Sequence, residues 1–175
     1  MQKKKEHIIN SIGTIIFDLD DTLIKTSDLY HQARKKLFSL ISEMGFPMED
    51  VVNKLDEIDI QHIKEKGFSK ERYPLSLIKT YHYFCNLREI NPRAEIEKKI
   101  IKIAGEVFEI TPQLVDGSEK VLSYLKGKYK LILATLGDRE VQQKKIENSG
   151  LENYFSAIYI MHFKNTEEYR GIIKD

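Results

Sequence analysis

The chain holds 175 residues, 41% of them apolar and 31% charged, with 28 basic against 27 acidic side chains. That length suits one domain, or a core with an insert, and lets roughly two-thirds of the unfolded surface be buried without staples. The near-neutral balance argues against wholesale binding to nucleic acid or acidic lipid, and the apolar content argues against disorder.

Lys3-Lys4-Lys5 reads as a solvated terminus. A single cysteine, Cys85, makes no internal disulfide, which fits a reducing, cytoplasmic setting. No stretch approaches the roughly 18 apolar residues of a membrane span. Ile8 to Phe17 is broken by Asn10, Ser11, Gly13 and Thr14 and lacks the small-residue cleavage site of a signal peptide. A soluble, cytoplasmic protein with no membrane or nucleic-acid partner is expected.

Thr14-Ile15-Ile16-Phe17 predicts a buried strand whose carboxyl end meets Asp18, Asp20 and Asp21. Leu29, Ala33, Leu37, Leu40, Ile41 and Met44 recur at helical spacing, and Gly45 and Pro47 supply the stop. Val51, Val52, Leu55 and Ile58 continue the period. Pro74 suits the first turn of a helix carrying Leu77, Ile78, Tyr81 and Phe84, and a further helix is expected from Asn91-Pro92 to before Thr111-Pro112. Ser118 predicts the cap of a short helix closed by Gly127, and Lys130 to Thr135 a second strand. Asp138 predicts the cap of a helix ending at Ser149-Gly150, Ala157 to Met161 a third strand, and Thr166 the cap of a last helix.

Strand, helix and strand in alternation imply an α/β fold with a Rossmann-like parallel sheet. Almost ninety residues without a strand are too many for one crossover. The expected organisation is therefore a core of residues 1–26 and 111–175 with an inserted helical cap of residues 27–110.

Asp18 and Asp20, two apart at a strand end, project to one side if the extended geometry persists. Ligands of open parallel sheets bind at such carboxyl ends. The whole segment Ile15-Ile16-Phe17-Asp18-Leu19-Asp20-Asp21-Thr22-Leu23 resembles the first motif of the haloacid dehalogenase superfamily, the aspartate-nucleophile phosphatases. Leu131-Ile132-Leu133-Ala134-Thr135 is similar to the second motif, and Lys164, beyond the third strand, to the third. The helical insert resembles the cap of the small-molecule phosphatases and haloacid dehalogenases. Gly67 to Pro74 and Thr135-Leu136-Gly137-Asp138 look like features of one branch of capped hydrolases.

The resemblance implies that Asp18 attacks phosphorus and forms an aspartyl-phosphate, and that Asp20 is the general acid and base. Dehalogenases of the superfamily generally lack that second acid, so Asp20, with Thr22, favours phosphate. Thr135 and the backbone amides near Leu136 would hold phosphate oxygens, and Lys164 would offset charge. An ionised Asp18 beside a phosphate of about −2 leaves a deficit that one lysine does not cover. Mg²⁺ is the expected cofactor, on the Asp18 side chain, the Asp20 carbonyl and an acid from a fourth motif.

That fourth motif is not evident: beyond Lys164 stand only Glu167, Glu168 and Asp175. A truncated product, a disrupted gene product and a natural variant that recruits its metal differently all account for this. The last helix, which starts correctly and simply stops, favours truncation, with self-association through an exposed core edge. The expected function is Mg²⁺-dependent hydrolysis of a small phosphorylated metabolite. The alternative is a catalytically inactive phosphate-binding or regulatory module, and a haloacid dehalogenase ranks third. His7, His31, His62, His82 and His162 show no ligand-like spacing. Lys64, Lys66, Arg72 and Tyr73 are candidates to reach over the site from the insert.

Overall fold

A computed structural model describes residues 13–161 and 164–174. Lys3-Lys4-Lys5, His7, His162 and Asp175 lie outside the described residues. Three parallel strands form one sheet in the order β1 (Thr14–Phe17), β2 (Lys130–Leu136), β3 (Ala157–Met161). Phe17 stands beside Leu133, and Leu136 beside Met161, so the carboxyl ends of all three strands lie along one edge of the sheet.

Residues 131–134 of the central strand form an unbroken apolar run because both of its faces are covered. Alternation sends Leu131 and Leu133 to one face, with Leu19, Leu122 and Ile146, and Ile132 and Ala134 to the other, with Met161 and Ile172. Helix α5 (Ser118–Leu125) and helix α6 (Arg139–Ser149) supply the first cover. Helix α7 (Thr166–Lys174) supplies the second. Leu133 is fully buried at the centre. Leu133→Ala is expected to cost about 3 kcal/mol by urea denaturation, and a loss below about 1 kcal/mol would contradict this placement of the core.

Between β1 and α5 run four long helices: α1 (Thr26–Ile41), α2 (Met48–Lys66), α3 (Arg72–Leu87) and α4 (Ala94–Glu109). Each has one apolar stripe, such as Leu29, Ala33, Leu37 and Ile41 on α1 or Ile96, Ile100, Ala104 and Val107 on α4. The four stripes bury one another in a cluster of their own, separate from the two clusters on the sheet.

Three local expectations are corrected. Ser118 is not a cap but the first residue of α5, preceded by Gly117 at φ 84°. Its hydroxyl bonds back to the carbonyls of Val115 (2.8 Å) and Leu23 (3.2 Å), which ties the helix to the loop after β1. Asn165, not Thr166, caps α7, its Oδ1 accepting from the Glu168 amide at 2.9 Å. Helix α4 begins at Ala94 rather than near Asn91, because Arg93 is extended and its amide donates to the Tyr81 hydroxyl at 3.1 Å.

Candidate active site

The loop leaving β1 carries the acids onto the shared edge of strand ends. Asp18 Oδ1 accepts from the Leu19 amide at 2.8 Å, and Asp18 Oδ2 meets Lys164 Nζ at 2.5 Å. Lys164 follows the end of β3 by three residues, so the shared edge of strand ends lets its long side chain reach Asp18 across the end of β2. Asp21 adopts φ 55°, a left-handed conformation that aspartate tolerates better than most residues. Its carboxylate accepts from the Ser27 amide (2.8 Å) and hydroxyl (2.5 Å), which fixes the acidic loop to the first turn of α1.

Asp20 is held from three sides. Thr26 Oγ1 donates to its Oδ1, Lys145 Nζ reaches the same oxygen at 2.8 Å, and Gln142 Nε2 donates to Oδ2 at 2.8 Å. Burial pushes its carboxyl up, but the Lys145 charge and the hydrogen bonds from Lys145, Thr26 and Gln142 outweigh it, leaving Asp20 below the usual carboxylate range. Gln142 Nε2 also donates to Thr135 Oγ1 at 2.5 Å. Thr135 is therefore wholly buried beneath Gln142 with its oxygen already accepting, and its hydroxyl hydrogen is left to donate.

Gly137 is required where Gln142 crosses the end of β2. Its φ is 151°, and a Cβ there would stand 3.1 Å from the Gln142 Cγ and Cδ. Asp138 caps α6 as expected, its Oδ1 accepting from the Glu140 (3.0 Å) and Val141 (3.3 Å) amides. Asp138 Oδ2 accepts from the Lys70 amide at 3.3 Å, a polar tie between the strand end and the helices above it.

These groups line a cavity of about 350 Å³ between the sheet edge and the four-helix layer. The opposite wall includes Tyr30, Asp59, Phe68 and Arg72. Burial pushes the Tyr30 phenol up to about 12, so it is neutral at physiological pH. Of the four residues expected to reach over the site, Arg72 lines this cavity, whereas Tyr73 is buried in the apolar cluster of the helices. Lys64 and Lys66 do not line it. His62 bonds Ser76 and His82 bonds Glu97.

The structure thus brings Asp18, Asp20, Leu136 and Lys164 to one cavity, with Thr135 directly behind it. Sequence reasoning missed Gln142, Lys145, Thr26 and Asp59. A signal for the first two exists: Val141, Gln142, Lys145 and Ile146 share the buried stripe of α6, where two polar residues have no packing reason to be.

Five carboxylates face the cavity, from Asp18, Asp20, Asp21, Asp59 and Asp138, against three cations, Arg72, Lys145 and Lys164. An incoming phosphate would add to that negative excess, so the donor set calls for a further cation. The residues fit magnesium: the Asp18 carboxylate is a hard oxygen donor, and the Asp20 main-chain carbonyl accepts no hydrogen bond among the described residues. No group of three or more His, Cys, Asp or Glu placed to hold a metal occurs among the described residues. Magnesium commonly keeps several waters and takes one or two carboxylates beside a substrate phosphate, so two protein donors are compatible with it.

Residues 12–168 match the family model of the haloacid dehalogenase-like hydrolases. The chain is 30% identical over 164 residues to glyceraldehyde 3-phosphate phosphatase of Pyrococcus furiosus, covering 90% of this chain and 62% of that one. It is 25% identical over 159 residues to N-acylneuraminate-9-phosphatase of Mus musculus, covering 87% and 62% respectively. It therefore spans about 62% of the length of the curated relatives it matches. Among solved structures, a haloacid dehalogenase-like family hydrolase from Xanthomonas campestris superposes with a TM-score of 0.80 at 26% identity, over 93% of this chain and 67% of that one.

Proposed function

Since this chain belongs to the haloacid dehalogenase-like hydrolases, we propose that its cavity hydrolyses a small phosphate monoester through a covalent intermediate on Asp18. The observation that carries this reading is the pairing of Asp18 with Lys164 beside an Asp20 gripped by Lys145, Gln142 and Thr26.

One Asp18 oxygen attacks phosphorus, and the bond from phosphorus to the ester oxygen breaks. Asp20, ionised in the free site, takes up a proton as the negative phosphate ester enters beside it, passes that proton to the leaving oxygen, and the product departs as an alcohol. Water then attacks the acyl phosphate, gives its proton to Asp20 and releases inorganic phosphate, which restores Asp18. Lys164 offsets charge on Asp18 and the phosphoryl oxygens, the amides near Leu136 donate to those oxygens, and the buried Thr135 hydroxyl joins them once Gln142 is displaced. Magnesium, held by the Asp18 carboxylate and the Asp20 carbonyl, would supply charge neutralisation and orientation of the phosphate. The helices of residues 27–110 act as a cap, limiting substrates to small soluble molecules and excluding bulk water. Asp20 disfavours halide displacement, which needs no proton for the leaving group.

Two of the relatives are named as phosphatases of small phosphorylated compounds, which supports the ester class. Mg²⁺-supported release of nitrophenol from p-nitrophenyl phosphate tests the proposal. Chelation with EDTA is expected to lower that rate at least about tenfold, with recovery on adding Mg²⁺. An undiminished rate in EDTA would remove the metal from the reaction. A chain that binds phosphate compounds without turning them over would instead be a binding module.

A further inference from the structure

Among the described residues, only Gln142 bonds both Asp20 and Thr135, the proposed acid and a proposed phosphate donor. It stands on the inward face of α6, 2% exposed, and its Nε2 donates to Asp20 Oδ2 at 2.8 Å and to Thr135 Oγ1 at 2.5 Å. One nitrogen therefore fills the gap between the loop after β1 and the end of β2. The stem of the side chain lies against Gly137, where an added Cβ would stand 3.1 Å from Gln142 Cγ and Cδ. Gln142 thus covers the strand end where phosphoryl oxygens would meet Thr135 and the amides near Leu136. Thr135 is wholly buried beneath it and does not line the cavity, whereas Asp18, Asp20, Leu136 and Lys164 do.

The two oxygens of the Asp20 carboxylate are not equivalent. Oδ1 accepts from Thr26 Oγ1 and Lys145 Nζ, which leaves Oδ2, held by Gln142, as the oxygen to face a leaving group. Asp20 Oδ2 and Thr135 Oγ1 are blocked by the same nitrogen and freed by the same movement. Rotation about the side-chain torsions of Gln142 supplies that movement with α6 unmoved, because the cavity of about 350 Å³ opens beside it. The geometry points to Gln142 as a displaceable stand-in for the substrate phosphate, its amide holding the seat in the free protein and giving way when a phosphoryl group enters. A phosphoryl oxygen then accepts the Thr135 hydroxyl hydrogen. To take the seat, an anion must offset two hydrogen bonds, one of them to a charged carboxylate. This rests on the hydrolase reading above and adds to it a contact that opposes phosphate binding.

Inorganic phosphate is the probe. Gln142→Met keeps the bulk of the side chain and removes both hydrogen bonds, and Gln142→Ala removes the bulk as well. Calorimetry on the full chain with Mg²⁺ is expected to show inorganic phosphate binding to Gln142→Met at least about fivefold more tightly than to the unaltered chain. In turnover of p-nitrophenyl phosphate, KM is expected to fall by a similar factor, while kcat falls too because Asp20 Oδ2 loses its holder. A side chain that merely supports Asp20 and Thr135 would lower kcat and leave phosphate affinity unchanged or weaker. Unchanged or weaker phosphate binding by a Gln142→Met chain with a normal denaturation midpoint therefore overturns the inference. Gln142→Ala decides in the same way where the methionine variant does not fold.

Failure of the unaltered chain to hydrolyse p-nitrophenyl phosphate would instead count against the hydrolase reading. The calorimetric comparison then decides the inference alone. Tighter phosphate binding by the variant supports it, and no phosphate binding by either chain overturns it.

Discussion

Replacing Asp18 with asparagine is expected to cut phosphate release from p-nitrophenyl phosphate by roughly 10⁴-fold or more, the scale seen when a covalent nucleophile is removed. Asparagine is isosteric and keeps an oxygen able to accept from the Leu19 amide, so the loop after β1 retains its shape. It forfeits the charged oxygen needed to attack phosphorus. Lys164 loses its partner, but both side chains are about a third exposed, so that loss costs at most about 1 kcal/mol of stability. The discriminating outcome is therefore a folded, inactive protein. Unchanged turnover in a variant with a normal denaturation midpoint would remove Asp18 from the reaction.

Lys145→Met is the second large effect, expected at roughly 100-fold in kcat. Methionine fills a similar volume on α6 and removes the ammonium that holds Asp20 Oδ1. Breaking a buried pair typically costs about 3–5 kcal/mol. Here 28% of the Asp20 side chain is exposed, and Thr26 and Gln142 still bond it, so about 2 kcal/mol is the better figure. If Lys145 works only through Asp20, its loss adds almost nothing once Asp20 is asparagine. Measured kcat values for Asp20→Asn, Lys145→Met and the double variant check this. Losses that simply add would show that Lys145 acts elsewhere.

The strands and the acidic loop are legible in the sequence because their causes are local. Residues 15–17 and 131–134 are continuous apolar runs, and such runs in alternation with helices give parallel pairing. Asp18, Asp20 and Lys164 are legible for the same reason, each lying within a few residues of a strand end. Gln142 and Lys145 leave only a faint trace, the apolar Val141 and Ile146 beside them, since a polar pair on a helix ordinarily signals a wet face. Only the packing of α6 against the sheet turns that pair inward. Asp59 and Arg72 are further removed, being brought together by the contact of α2 with α3.

Two of the expected caps, unlike Asp138, fail for a subtler reason. Ser118 and Thr166 have the right chemistry one residue too late, and the preceding Gly117 and Asn165 take the half-helical position instead. Single-residue offsets at helix starts are decided by what the side chain finds nearby. For Ser118 these are the carbonyls of Val115 and Leu23, the latter 95 residues away along the chain.

The apolar cluster of α1 to α4 and the two clusters on the sheet do not merge, and the cavity lies where the layers meet. Substitutions on the two sides accordingly share few neighbours, and their free-energy effects should add. The residues proposed to break the ester bond and those of α2 and α3 that line the opposite wall are under separate thermodynamic control. Selection can then revise the α2 and α3 wall while the bond-breaking edge, and the stability that supports it, stay as they are.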